Sequence, residues 1–174
     1  MRGAILALAL LWLAPRDSSA QSTPQVSLLG GFGLSVRVNR GRTQERMFVL
    51  QPQASWRLGK RFDAIVEGHF AKYFQPDGWG AGLVPLSARY YFATAGSRPY
   101  FNFGAGFCWT NLEIEELDRR FNFILQAGFG IKTDLSARRS WLLEARWYHY
   151  SNAGTVRPNL GFNGVVLLGG WRFF

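Results

Sequence analysis

The chain has little cysteine, little histidine and little acid, and each shortage excludes a class of protein. Its single cysteine, Cys108, cannot form an intramolecular disulfide, which excludes a disulfide framework and a cysteine-rich zinc site. Two histidines among 174 residues leave little material for an imidazole metal centre, so we expect any catalysis to use no metal and no cofactor. Only 11 acidic side chains oppose 20 basic ones, and the net charge of +9 favours an anionic partner.

The chain also lacks a long apolar run. The run from Ala4 to Ala14 has eleven residues, whereas a membrane-spanning helix needs about 20. Arg2 precedes this run and small residues ending at Ala20 follow it, which is the pattern of a secretory signal peptide. We therefore predict a signal peptide over residues 1–20 and one mature domain over residues 21–174. Export and the scattered positions of the arginines argue against nucleic acid as a partner.

Glycine and aromatic residues are abundant: 20 Gly, 15 Phe, 7 Trp and 6 Tyr. Aromatic residues favour strands, and each glycine in a helix interior costs about 1 kcal/mol. Eight stretches alternate apolar and polar residues with the period of two that strands show. They lie near residues 25–38, 48–58, 62–74, 82–92, 99–109, 121–133, 141–150 and 163–174. The sequence therefore predicts an all-β fold, an eight-stranded antiparallel barrel.

Alternation alone does not show which face points inward, because a soluble lipocalin-like barrel would line its pocket with the apolar face. The interior of an eight-stranded barrel is only just wide enough for its side chains. Here the bulky aromatics share one face, and glycines and polar groups share the other. On the apolar face of the fourth stretch lie Val84, Leu86, Ala88, Tyr90 and Phe92. We therefore expect the aromatics to face lipid.

The opposite face then fills the barrel interior with charges of both signs. Its charged members are Arg57, Asp63, Glu67, Arg89, Glu144, Arg146 and Arg172. Their opposite charges predict a paired, non-conducting core. His69 shares this face and is expected to make an interior polar contact.

The connections have the lengths typical of an outer-membrane barrel, with short periplasmic turns and longer extracellular loops. We expect short connections near 59–61, 93–98 and 134–140, and longer ones near 39–47, 75–81, 110–120 and 151–162. The terminal Phe174 resembles the last aromatic residue that the barrel-assembly machinery reads in outer-membrane proteins. Since open strand edges are not satisfied in hydrocarbon, the sheet must close. We predict a transmembrane β-barrel of the cell outer membrane.

Three polar residues interrupt the lipid-facing pattern at the extracellular end of the last two strands. His149 and Ser151 share the outer face of the seventh strand, and Asn163 opens the eighth strand on its outer face. A hydroxyl nucleophile needs a base, and the base needs a third group to fix its tautomer. Ser151, His149 and Asn163 fit those three roles, and hairpin pairing would bring Asn163 beside His149.

The chain must bend for this arrangement to react. Two residues of ideal strand span roughly 6.6 Å, which is too far for a hydrogen bond, so we expect a bend at Ser151. The residues Asn152, Ala153 and Gly154 allow such a turn. Its backbone N–H groups, with the side chain of Asn152 or Asn159, would hold the oxyanion of an attacked ester.

The segment His149-Tyr150-Ser151-Asn152-Ala153-Gly154, followed by Pro158-Asn159 and Gly161, resembles the signature of the outer-membrane lipid A 3-O-deacylase family. This resemblance implies that His149 is the base and Ser151 the nucleophile. It also implies hydrolysis, without a metal, of the ester at the 3-position of lipid A, the lipid part of lipopolysaccharide. Basic residues at the extracellular rim would attract the lipid A phosphates. They include Arg42, Arg46, Lys72 and Arg157.

One position departs from the family. Where its characterised members carry a Glu, twelve residues after the Ser, this chain has Asn163. An Asn can orient a histidine but cannot stabilise the imidazolium by charge. Two functions therefore stay open: a serine esterase acting on lipid A, and a non-catalytic barrel with a degenerate site that acts in loop-mediated binding or envelope structure. The sequence is compatible with a homodimer but does not fix the oligomeric state.

Overall fold

The structure is a computed structural model and describes residues 23–36, 45–114, 117, 120–155 and 160–173. Its strands are β1 (Gln25–Ser35), β2 (Arg46–Arg57), β3 (Phe62–Phe74), β4 (Asp77–Tyr91), β5 (Ser97–Thr110), β6 (Phe121–Asp134), β7 (Ser140–Ser151) and β8 (Phe162–Arg172). Each strand pairs antiparallel with its chain neighbours and β8 pairs with β1, so the sheet closes. The predicted eight-stranded barrel is confirmed. The predicted signal peptide and Phe174 lie outside the described residues.

The outer wall is apolar and aromatic. Phe32, Phe129 and Leu167 expose 67%, 65% and 60% of their surface, whereas the neighbouring inward-facing Val166 and Leu168 are fully buried. A soluble barrel does not present an apolar belt of this extent to water, and hydrocarbon is the medium that suits it. The predicted orientation, with aromatics outward, is confirmed. No helix in the described ranges is long and apolar enough to cross a membrane.

A charged network fills the barrel interior. The Arg146 guanidinium binds Glu67 Oε2 at 2.7 Å and Glu144 Oε1 at 2.5 Å, and all three side chains are buried. Gln53 and Gln126 each donate a 2.7 Å hydrogen bond to Glu67. Multiple donors on each carboxylate offset part of the cost of removing these charges from water. The interior face predicted from the sequence therefore carries its charges inward, and Arg57, Asp63, Glu67, Glu144 and Arg146 form ion pairs there.

Aromatic rings occupy the interior above this network, toward the end with the longer loops. The rings of Tyr150 and Phe162 stack with centroids 5.4 Å apart and planes 7° apart. His69 Nε2 lies 2.7 Å from the Tyr150 hydroxyl, as expected of an interior polar contact. The lumen of the barrel is thus filled from the charged layer up to the level of the outer loops.

Two predictions for β4 were wrong. Val84 is fully buried in the interior, because a β-bulge shifts the pairing of β4 with β5 between Leu83 and Leu86. One extra residue reverses the facing of every side chain on its far side. The long connection expected at 75–81 is also absent, since β3 ends at Phe74 and β4 begins at Asp77.

The glycines of this segment are strand residues, and Gly82 lies in close contact with β5. A Cβ atom on Gly82 would lie 2.3 Å from the Phe107 carbonyl oxygen. Glycine is therefore required here by the close approach of two backbones.

Candidate active site

The register between β7 and β8 positions the polar residues of the outer wall. His149 pairs with Asn163, and the next pair along the strands is Tyr150 with Phe162. Because side chains alternate, Tyr150 and Phe162 point into the barrel while His149 and Asn163 lie half-buried on its outer wall. The stacked rings inside thus anchor the same two strands that carry the polar pair outside.

The His149 ring is oriented by its surroundings. Its Nδ1 lies 3.0 Å from Asn163 Oδ1. An amide oxygen only accepts, so this contact requires the proton on Nδ1 and leaves the Nε2 lone pair available. The ring also stacks on Trp147, with centroids 5.8 Å apart and planes 17° apart. This is the tautomer and the fixed ring position that a general base needs.

Gly161 closes the other side of the ring. Its φ is +73°, in the left-handed region that favours glycine. A Cβ atom at this position would lie 2.6 Å from His149 Cε1 and 3.3 Å from Nε2. Gly161 belongs to the signature noted in the sequence, but its contact with the imidazole was not expected. The sequence signal that could have indicated this contact is the glycine itself, which lies two residues before Asn163, the expected partner of His149.

Ser151 is the last residue of β7 and pairs with Phe123 of β6. It lies half-buried on the same outer face as His149. The bend expected at Ser151 is not found there, because strand pairing keeps the residue extended. Among the described residues, no hydrogen bond joins its hydroxyl to the His149 ring. Catalytic hydrogen bonds of this kind commonly tighten only when substrate binds.

The turn expected from Asn152 to Gly154 is present and follows Ser151 directly. Ala153 and Gly154 have φ values of +54° and +75°. The Gly154 N–H donates to Asn152 Oδ1 at 2.8 Å, and the Thr155 hydroxyl donates to the Asn152 carbonyl at 2.8 Å. An oxyanion would therefore compete with Asn152 for the Gly154 N–H. Asn159, the other expected contributor, lies outside the described residues.

The basic residues expected at the extracellular rim are partly described. Arg46 is exposed at the start of β2. Lys72 is exposed on β3 and binds Asp77 at 2.5 Å. Arg42 and Arg157 lie outside the described residues. Glu144, the last acidic residue of the chain, points inward and binds Arg146, so it does not replace the missing carboxylate beside His149.

Comparison with known proteins gives a family match over most of the chain. A family model described as "Lipid A 3-O-deacylase (PagL)" matches residues 30–172. A search of curated protein sequences finds no match.

Solved structures show the same fold. The crystal structure of the outer membrane enzyme PagL is 21% identical, with a TM-score of 0.64 over 84% of this chain and 97% of that one. Neisserial surface protein A is 15% identical, with a TM-score of 0.70 over 90% and 99%. The N-terminal barrel domain of Pseudomonas aeruginosa OprF is 16% identical, with a TM-score of 0.52 over 87% and 100%. These structures share the fold of this chain and are distant from it in sequence.

Proposed function

The chain belongs to the lipid A 3-O-deacylase family, and on this premise we propose that it is an outer-membrane esterase that removes the 3-O-linked acyl chain of lipid A. The observation that carries the proposal is the hydrogen bond between His149 and Asn163 on the lipid-facing wall. A half-buried imidazole with a fixed tautomer has no structural task on a surface that otherwise contacts acyl chains. Next to a serine on the same face, it is equipped for acyl transfer.

The proposed reaction begins at Ser151. Its Oγ attacks the carbonyl carbon of the ester while His149 Nε2 takes the hydroxyl proton. The bond to the sugar oxygen then breaks, and His149 returns the proton to that oxygen. Water, deprotonated by the same imidazole, attacks the acyl-serine. The bond between the acyl carbon and Ser151 Oγ then breaks, His149 returns the proton to Oγ, and the 3-hydroxy fatty acid is released. Throughout, Asn163 accepts the Nδ1–H hydrogen bond and keeps the ring in place.

An amide in the third position has an energetic consequence. Asn163 orients His149 but carries no charge to stabilise the imidazolium that forms in each transition state. We therefore propose that the enzyme is slower than family members with a carboxylate at this position. The mechanism also requires Ser151 to approach His149, since strand geometry alone separates successive outward residues by roughly 6.6 Å.

The position of the site suits a lipid substrate. His149 and Ser151 face outward at the end of the barrel that carries the longer loops, which is extracellular in outer-membrane barrels. Acyl esters of the outer leaflet lie at this depth, so lipid A need not leave the membrane to react. The exposed Arg46, on the same wall, is placed to attract a lipid A phosphate. We also propose that the barrel-assembly machinery inserts this chain into the outer membrane. That the chain forms a homodimer stays a prediction.

The test is expression in a lipopolysaccharide-bearing outer membrane, followed by mass spectrometry of lipid A. We expect loss of one 3-hydroxyacyl group, and a fall of about a thousandfold or more with Ser151→Ala. Ser136→Ala, in an exposed turn at the opposite end, is the matched control and should leave the reaction unchanged. Heat-dependent gel migration verifies that each barrel is folded. Unchanged lipid A, or acyl loss that persists in Ser151→Ala, contradicts the proposal.

The second candidate is a non-catalytic barrel of the same family. Two observations favour it: Asn163 replaces the carboxylate, and the Ser151 hydroxyl makes no hydrogen bond to the His149 ring in the described part of the chain. The same experiment separates the two functions. If the natural protein does not deacylate lipid A and the Asn163→Glu variant does, the natural protein is a family member with a degenerate site.

A further inference from the structure

A second polar site lies at the opposite end of the barrel. A cavity of about 460 Å³ opens at the end with the short turns, which is periplasmic in outer-membrane barrels. Its lining comprises Gln25, Arg57, Arg98, Asp134, the turn residues 135–137 and Arg172. β7 runs from this end to His149, and nine strand steps from Ser140 amount to about 30 Å. The cavity is therefore separate from the candidate active site.

The interior charges are balanced in the middle of the barrel but not at this mouth. In the middle, Arg89 and Arg146 face Glu67 and Glu144. At the mouth, the cavity lining holds three arginines and one carboxylate. They are Arg57, Arg98 and Arg172, against Asp134. Asp63 is not in the lining but binds Arg57, so an excess of one positive charge is left at the mouth.

The two carboxylates already have several donors each. Asp134 binds Arg98 at 2.6 Å, lies 3.6 Å from Arg172, and accepts from Ser140 at 2.5 Å. Asp63 binds Arg57 and accepts from the Tyr91 hydroxyl at 2.8 Å. Arg98 and Arg172 therefore share a single carboxylate. Buried charge that is only partly compensated is costly, so the cavity favours an anion.

Two of the arginines retain unused donors. Arg98 and Arg172 are only 5% and 7% exposed, and the Nε of each has no acceptor among the described residues. Arg172 otherwise approaches the carbonyl oxygens of Ser136 at 3.5 Å and Ala137 at 3.2 Å, contacts that leave its charge uncompensated. The Arg98 guanidinium is held over the Tyr91 ring, 4.8 Å from its centroid. Both groups are thus fixed in place beside the cavity with donors to spare.

We propose that this periplasmic mouth binds a small oxyanion of the phosphate class. The guanidiniums of Arg98 and Arg172, which share Asp134, offer the forked donors that tetrahedral oxyanions accept, and the excess of positive charge favours an anion. Exposed basic residues on the surrounding turns raise the local anion concentration. They are Lys60, Arg61, Arg138 and Arg139. The same chemistry is available from soluble phosphate or phosphomonoesters and from a phosphomonoester lipid headgroup.

Calorimetric titration of the full barrel in a nonionic detergent, with inorganic phosphate at low salt, tests the proposal. We expect one site per barrel and at least tenfold weaker binding in Arg98→Gln and in Arg172→Gln. Arg120→Gln removes the same charge from an exposed residue at the opposite end of the barrel and should bind phosphate as the natural protein does. No phosphate binding, or equal binding in all four proteins, overturns the proposal.

A second pair of variants keeps every arginine in place. Ala137→Glu puts a carboxylate on the cavity rim and should abolish phosphate binding by occupying the site from within the chain. Ala95→Glu adds the same charge on another exposed turn and should have little effect. If both variants bind phosphate equally, general surface charge explains the attraction and the site does not exist.

Two further experiments identify the source of the anion and show whether phosphate binding is independent of the proposed esterase site. The titration is repeated with the barrel in phosphatidylcholine vesicles that contain or lack phosphatidic acid. If the site binds a phosphomonoester headgroup, phosphatidic acid competes with added phosphate, and phosphate binds more weakly in the vesicles that contain it. Unchanged binding assigns the site to soluble phosphate. Ser151→Ala should bind phosphate normally, so the outcome does not depend on whether the outer-wall site is catalytic.

Discussion

The barrel holds polar side chains in two settings, and they differ in charge and in the number of polar partners. Inside, Glu67 accepts hydrogen bonds from Arg146, Gln53, Gln126 and Ser87. On the outer wall, His149 makes one side-chain hydrogen bond, to Asn163, and keeps a nitrogen lone pair free to react. The inner carboxylate is charged and has several donors, while the outer groups are neutral and have one partner each.

This difference distinguishes stabilising residues from functional ones. A buried network of ion pairs and hydrogen bonds holds strands together, and its carboxylates, enclosed by donors, do not meet a substrate. A neutral polar cluster on a wall that faces lipid adds little to stability and retains reactive atoms. We therefore expect substitutions in the network to change unfolding, and substitutions at the wall to change lipid A chemistry.

The largest effect is expected from Glu67→Leu. It removes one of the two carboxylates that bind Arg146 and leaves two glutamine amides without their acceptor in the buried interior, and breaking a buried ion pair costs about 3–5 kcal/mol. Urea unfolding of the refolded barrel measures this change in the free energy of unfolding. Val66→Leu, the adjacent lipid-facing position, is the control and should shift it by less than about 0.5 kcal/mol. If the two variants have similar free energies of unfolding, the interior network is no more important for stability than the outer wall, and the comparison above is wrong.

Asn163→Glu is expected to act in the opposite sense, on activity alone. A carboxylate at this position stabilises the imidazolium, and we expect deacylation to rise by about tenfold to a hundredfold while the unfolding midpoint stays constant. Lipid A mass spectra over time give the rate. Asn111→Glu adds the same charge in an exposed loop residue at the same end and should not raise it. A gain shared by both variants would indicate a general effect of charge on substrate attraction.

Gly161→Ala should have the smallest effect and the most local one. The new Cβ would press on His149 Cε1 at 2.6 Å, and we expect a loss of activity of roughly tenfold or less as the ring shifts. Strain at positive φ should also reduce stability by roughly 1 kcal/mol. Gly96→Ala is the matched control, with a φ of +67° and no atom within 4 Å of the added carbon. It should show the same loss of stability with full activity.

Much of this architecture is predictable from the sequence because lipid and a narrow lumen impose strict alternation. The outward position of Phe129 and the inward position of Glu67 follow from the period-two alternation of the strands and from the small volume of the barrel interior. Val84 does not, because a bulge changes parity without a reliable sequence signal. The pairing of His149 with Asn163 was expected from hairpin geometry, but the contact of Gly161 with the imidazole depends on a backbone torsion that no periodicity encodes. Asn159 lies outside the described residues, so its expected role stays a prediction.

The filled lumen determines how the proposed enzyme meets its substrate. With Arg146 and the aromatic rings above it occupying the interior, lipid A reaches His149 by lateral diffusion within the outer leaflet. The relevant concentration is therefore the mole fraction of lipid A among its neighbours, and bulk molarity has little meaning for the rate. Diluting the leaflet with inert amphiphile at constant total amounts of protein and substrate would slow the reaction, as would a more viscous leaflet.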